Sequence, residues 1–186
     1  DFGMELSGVR REAMTVLTTW SPDAVLLSDY DKGLLTPHFL KEAVGYCRER
    51  GIPCVADAKR APDMYHGAII KGNEDWGRRH QSKTESYRYV ETQGAASPQV
   101  WEKGWLDDQS ELPPVPCLNH VGAGDCFAAH LTLALAYGYS FKDAAAVAHS
   151  AGRVYVQRRH NTSPHPDEVA ADAAGLPLTV AVAAAR

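Results

Sequence analysis

Two short runs, Ala24-Val25-Leu26-Leu27 and Ile52-Pro53-Cys54-Val55-Ala56, are apolar without alternation, and a segment of helical periodicity lies between them. A strand that is apolar at successive positions must bury both faces, which happens in parallel sheets covered by helices on either side. Strand, helix, strand with short connections therefore restricts the chain to an α/β fold with a mostly parallel sheet. The intervening helix is expected over Pro37 to Arg50, with Phe39, Leu40, Ala43, Val44 and Cys47 on one side. Thr36 suits its N-cap, Pro37 its first turn and Gly51 its end. Ala68-Ile69-Ile70 reads as a third strand that ends in Lys71-Gly72-Asn73.

The remaining chain is less uniform. Leu6, Val9, Ala13, Val16, Leu17 and Trp20 recur at helical steps and predict a helix over Met4 to Trp20, stopped by Ser21-Pro22. Tyr87 to Val90 alternates like a strand, Thr92 to Ala95 turns, and Val100 to Gly104 is a weaker strand candidate. Asp75 to Ser82 is polar enough to be either a short helix or a loop, and Trp105 to Ser110 reads as an exposed connection. Pro116 places Val115 to Leu118 at a strand start or on an edge. Phe127 to Tyr137 is apolar all round, as in a buried central helix, and Ser140 caps a further helix toward Gly152. Arg158 to Asp167 shows little periodicity, and Leu178 to Arg186 is an alanine-rich tail with no assigned state.

Charge and composition limit the function classes. The 186 residues carry 19 lysines and arginines against 23 acidic residues, so nothing draws the chain as a whole to a phosphate backbone, and nucleic acid is not an expected partner. With 45% hydrophobic and 23% charged residues, a single globular domain spanning 1–186 is the expectation. No apolar stretch approaches the ~20 residues of a membrane span, so no membrane role is expected. Cys47, Cys54, Cys117 and Cys126 have no metal-ligand spacing and read as buried small hydrophobes in a reducing compartment, hence a cytoplasmic location. Asp1 in place of an initiator methionine suggests a processed product or a segment of something longer.

The segment Val121-Gly122-Ala123-Gly124-Asp125-Cys126-Phe127 opens the most apolar helix. Glycines let a backbone approach a ligand closely, and the first amides of a helix have no intrahelical acceptor and attract anions. It is neither a P-loop, since the Gly-Lys-Ser/Thr ending is missing, nor a dinucleotide fingerprint. Asp125 in such a turn suits a base that takes the proton of an attacking hydroxyl during phosphoryl transfer. The other reading is a tight turn with Asp125 stabilising the helix dipole. Ligands of an open parallel sheet lie beyond the carboxyl ends of its strands, where Asp29 and Lys32, Asp57 and Lys59, and Asn73 to Asp75 would gather. There a lysine could neutralise phosphate and a carboxylate or amide could face Mg²⁺. His149 reads as a core histidine, and His120 and His130 lack zinc-site spacing.

Several of these segments together resemble the C-terminal part of the ribokinase-like PfkB carbohydrate kinases, in particular the heptose phosphate kinase branch. They are Leu27-Ser28-Asp29-Tyr30-Asp31-Lys32-Gly33, Gly51-Ile52-Pro53 with Asp57-Ala58-Lys59, Thr92-Gln93-Gly94, and the glycine segment 121–127 with Ala151-Gly152. The resemblance implies a three-layer ribokinase-like sandwich, ATP and Mg²⁺ as cofactors, and a sugar or sugar phosphate as acceptor. It also implies Asp125 as base, with Gly122, Ala123 and Gly124 as the anion hole. Lys59, Asn73, Thr92, Gly94, His149 and Gly152 are then nucleotide-side residues, and Asn73 and Asp75 the metal side. Where the family has a glutamate three positions after the asparagine, this chain has Trp76. Its Thr-Pro is Lys71-Gly72, and the aspartate and threonine before the glycines are Asn119 and His120. The family's N-terminal sugar-binding half has no counterpart in these residues, so a companion chain or a covalent N-terminal half is an expected partner.

Overall fold

The computed structural model describes residues 2–84, 87–102, 105–106, 112–176 and 178. The strands are β1 (Val25–Ser28), β2 (Cys54–Asp57), β3 (Ile69–Asn73), β4 (Tyr89–Gln93), β5 (Ala96–Trp101) and β6 (Trp105–Leu106). They form one sheet in sequence order, parallel from β1 to β4 and antiparallel from β4 to β6. The helices are α1 (Phe2–Trp20), α2 (Pro37–Glu49), α3 (Glu74–Thr84), α4 (Ala123–Ala136), α5 (Phe141–Val156) and α6 (Pro166–Ala173).

Neighbouring residues of each inner strand bury opposite faces. Leu27, Ala56, Ile70 and Tyr89 pack with α2 and Trp76, whereas Val55, Ile69, Val90 and Val100 pack with α4 and α5. Both faces are therefore dry, as the unalternated apolar runs require, and the result is a three-layer α/β sandwich with a largely parallel sheet. The α2 boundaries follow from local chemistry: the Thr36 hydroxyl accepts from the Phe39 amide, Pro37 occupies the first turn, and Gly51 has φ +65°. Ser140 caps α5 in the same manner by accepting from the Asp143 amide.

The structure settles the open reading at Asp75 to Ser82 and changes others, among them Trp105-Leu106, expected in an exposed connection and found as β6. The polar stretch after Asn73 is a helix because the Asn73 side-chain oxygen caps it, accepting from the Trp76 amide, and because buried Trp76 anchors it between Tyr89 and His80. Residues 115–118 join no strand; Leu118 and Asn119 instead donate their amides to the Val156 carbonyl. Helix α6 escapes a periodicity search because it is short and has an unusual capping box, His165 with Glu168. Helix α4 is not buried all round, since Leu133 is 53% exposed. Of the cysteines, Cys47 and Cys54 are buried as expected, but Cys117 is exposed and Cys126 half-buried, and all four are free thiols. Residues 107–110 and most of the expected C-terminal tail lie outside the described residues. No helix among the described residues is long and apolar enough to cross a membrane.

Candidate functional site

The carboxyl ends of β1 to β4 and the N-terminus of α4 face one cleft with two lobes. The first is lined by Tyr30, Asp57, Lys59, Lys71, Asn73, Asp75 and Asp125, among others. The second is mostly apolar and is lined by Pro98, Val115, Phe127, His149, Gly152 and Val156, among others. Thr92, Gly94 and Gly124 border both lobes. Two separate stretches of expectation thus converge: Lys59, Asn73, Asp75 and Asp125 in the polar lobe, and Ala123, His149 and Gly152 in the apolar one.

Gly122 lines neither lobe. It has φ +85°, and an added Cβ would stand 2.6 Å from the Tyr155 hydroxyl, which itself donates to the Val121 carbonyl at 2.7 Å. The glycine is there for conformation and close approach, and the first requirement alone costs other residues about 1–2 kcal/mol. Gly122→Ala is therefore expected to lower unfolding free energy by more than ~1 kcal/mol, a shift that chemical denaturation measures directly.

Of the amides expected in the anion hole, that of Ala123 donates to the His120 carbonyl at 3.1 Å. The Cys126 amide begins the helical ladder on the Gly122 carbonyl at 2.9 Å. The amides of Gly124 and Asp125 lie in the first turn of α4, where a helix offers no acceptor. Asn119 supports this turn by accepting from the Val121 amide and donating to Asn161. The Asp125 carboxylate is exposed and accepts a 2.6 Å hydrogen bond from the Tyr30 hydroxyl.

Lys71 was missed as a site residue. It is only 5% exposed, its Nζ lies 3.0 Å from the Asp57 carboxylate, and an added Cβ on Gly124 would stand 3.0 Å from that Nζ. The Lys71 ammonium therefore adjoins the glycine turn that opens α4. The signal was a lysine directly after two isoleucines, where a strand buried on both faces has no solvent for a charge. Lys32, by contrast, lines neither lobe.

Asp29 also has a different place from the one expected. It is buried beneath the cleft, accepting from Arg60 Nε at 2.8 Å, from the Tyr65 hydroxyl and from the Asp31 amide. Burial pushes its carboxyl up, but the Tyr65, Asp31 and Arg60 donors outweigh burial and hold it below the ordinary carboxylate value. The sign follows by linkage: a carboxyl depressed in the folded state stabilises above its unfolded value of about 3.9, and that stability is lost as pH falls through the folded value. Asp29→Asn is expected to flatten this part of the acid unfolding curve, measured as the urea midpoint from neutral to acid pH.

On the metal side, Asn73 and Asp75 are exposed at the start of α3. Asn73 caps the helix, and Asp75 pairs with Arg78 at 2.6 Å. Trp76 points into the core, where its indole donates to the Arg60 carbonyl at 2.9 Å. Among the described residues, no group of three or more histidines, cysteines and carboxylates forms a metal centre. Glu74 and Asp75 nevertheless line the polar lobe, and one or two carboxylates completed by phosphate oxygens is a usual Mg²⁺ environment.

Comparison with known proteins bears on the fold and the family. Residues 81–169 match the pfkB family carbohydrate kinase pattern. The fold is similar to that of Arabidopsis thaliana ribokinase complexed with ribose and ATP, with a TM-score of 0.67 at 18% identity, over 90% of this chain and 58% of that one. It is also similar to that of Escherichia coli phosphofructokinase-2 in complex with potassium, with a TM-score of 0.64 at 18% identity, over 91% and 61%. The chain thus has a ribokinase-like fold and carries a PfkB carbohydrate kinase match over residues 81–169. It is related to the bifunctional HldE proteins, being 32% identical over 165 residues to that of Caulobacter vibrioides, which covers 74% of this chain and 33% of the relative. The chain thus spans about a third of the length of the curated relatives it matches.

Proposed function

We propose that this domain transfers the γ-phosphoryl group of ATP to a hydroxyl of a sugar or sugar phosphate, with a heptose 7-phosphate as the acceptor favoured by the HldE relationship. The observation that carries the reading is the Asp125 carboxylate, open to solvent at the helix N-terminus where the polar and apolar lobes meet. The apolar lobe suits a nucleobase, with His149 and Gly152 in its wall, and Thr92 and Gly94 lead from it toward the phosphates. The amides of Gly124 and Asp125, with Lys71 behind them and Lys59 at the rim, suit the transferring phosphoryl group. Asp125 takes the acceptor proton as the new O–P bond forms, and the bond to the β-phosphate breaks with its electron pair leaving on ADP. Glu74, Asp75 and the second lone pair of the Asn73 oxygen would hold Mg²⁺, which supplies neutralisation of the β- and γ-phosphates. Free thiols agree with a cytoplasmic setting.

Acceptor contacts are proposed to come in large part from a further N-terminal half or a companion chain. In support, β1 is an edge of the sheet among the described residues, and α1 exposes Val9, Val16 and Trp20. One observation favours a second reading, a catalytically weakened nucleotide- or sugar-phosphate-binding subunit: a buried indole stands where the family has a carboxylate. The two separate in an assay of the domain together with that N-terminal half or companion chain, using γ-labelled ATP against a panel of sugars, sugar phosphates, nucleosides and vitamin alcohols. Label transfer to a sugar or sugar phosphate supports the kinase. ATP binding without transfer to any alcohol sinks it and favours the binding subunit.

A further inference from the structure

Tyr30 is held in place by machinery out of proportion to the surface it buries. It follows Asp29, which is anchored to Arg60 and Tyr65, and precedes Asp31, whose φ of +53° is unusual for a residue with a side chain. The Asp31 amide closes back on Asp29 at 2.8 Å, and the guanidinium of Arg60 also donates to the Leu35 carbonyl, so both sides of the turn are tied. Beneath it, the Tyr65 hydroxyl accepts from the Lys59 and Arg60 amides, which joins this turn to the one after β2. Yet Tyr30 remains 56% exposed, so packing does not account for its position. Its hydroxyl reaches across 95 residues of sequence to one oxygen of Asp125, 2.6 Å away.

A carboxylate at the start of a helix rotates freely unless something fixes it, and a general base works only when an oxygen points at the proton it will accept. We propose that Tyr30 is a positioning residue for Asp125, holding Oδ1 so that Oδ2 is presented to the acceptor hydroxyl. This deepens the kinase reading and rests on it. In the transfer step the acceptor proton moves to Oδ2, the acceptor oxygen bonds to phosphorus, and the β–γ bridging oxygen departs on ADP; the phenol keeps its own proton throughout. The hydrogen bond to Asp125, and secondarily burial, hold the Tyr30 phenol above its ordinary value. The groups facing it are Asp125 from α4, Asp57 from β2, Ser28 from β1, and Lys59, whose ammonium lies 6.0 Å from its ring centroid.

Tyr30→Phe keeps the ring over which Lys59 lies and removes only the hydroxyl. It is expected to lower kcat about 10- to 100-fold, the scale of a misplaced catalytic group, with the KM for ATP and the unfolding midpoint unchanged. The ratio of ADP released to acceptor phosphorylated is expected to rise as water competes. A second measurement reads the contact without turnover: the ¹³Cζ resonance of Tyr30 is titrated in wild-type protein and in Asp125→Asn, where loss of the carboxylate charge is expected to lower the midpoint. An unchanged midpoint, or wild-type kcat and coupling in Tyr30→Phe, overturns the positioning role and leaves the kinase reading standing. Absence of transfer by the wild-type protein to any alcohol of the panel overturns both.

Discussion

Asp125→Asn is expected to lower phosphoryl transfer about 10²- to 10⁴-fold while ATP binds at least as tightly as before. The two effects have different origins. An amide cannot accept the acceptor proton, so the barrier rises, but removing a negative charge beside the phosphates relieves ground-state repulsion. The fold tolerates the change, because a carboxylate in the first turn of a helix is worth only about 0.3–1 kcal/mol and Asp125 is exposed. ADP release in the presence of acceptor measures the first effect, and calorimetric titration with ATP the second. Equal turnover by wild type and variant would show that the helix-dipole role is the whole of what Asp125 does.

Lys71→Met is expected to be the most destabilising single change at the site. Lys71 and Asp57 are 5% and 7% exposed and lie 3.0 Å apart, so removing the ammonium leaves a carboxylate in the sheet without its counter-charge. Breaking a buried pair in this way costs about 3–5 kcal/mol, or on the order of 10 °C in melting temperature for a domain of this size. The double variant Asp57→Asn/Lys71→Met is expected to recover most of that stability, because neither charge then remains buried. It should not recover ATP affinity, since the cation beside Gly124 is still missing. Melting temperature and ATP titration across the three proteins separate the two contributions. Recovery of both would make the pair a purely structural link between β2 and β3.

Much of the fold was legible because local chemistry and burial agree along the first half of the chain. Thr36, Pro37 and Gly51 mark α2 at both ends, and the undiluted apolarity of Leu26-Leu27, Val55-Ala56 and Ile69-Ile70 reports strands with no wet face. Helix α3 was left open because one residue, Trp76, supplies nearly all its anchoring, and a single apolar position has no period. Pro116 was overread: it excludes a central strand, but it cannot by itself say that a strand is present. At the site, the glycine segment singles out Asp125 as a candidate and predicts a tight turn before α4, where Gly122 is left-handed. Sequence could not show that Ala123 has already donated its amide, that Asp29 is buried beneath the cleft, or that Tyr30 meets Asp125. The last of these depends on how loops 95 residues apart approach one another, and no local pattern encodes such a distance.

Thr92, Gly94 and Gly124 serve both lobes of the cleft, so they act as a ruler as well as a wall. A bare nucleoside would fill the apolar side without reaching Asp125 and would compete with the donor alone. A free sugar phosphate would do the converse. On the proposed kinase reading a nucleoside triphosphate would extend from the apolar lobe toward Asp125, so double-reciprocal plots should give each short inhibitor a different pattern.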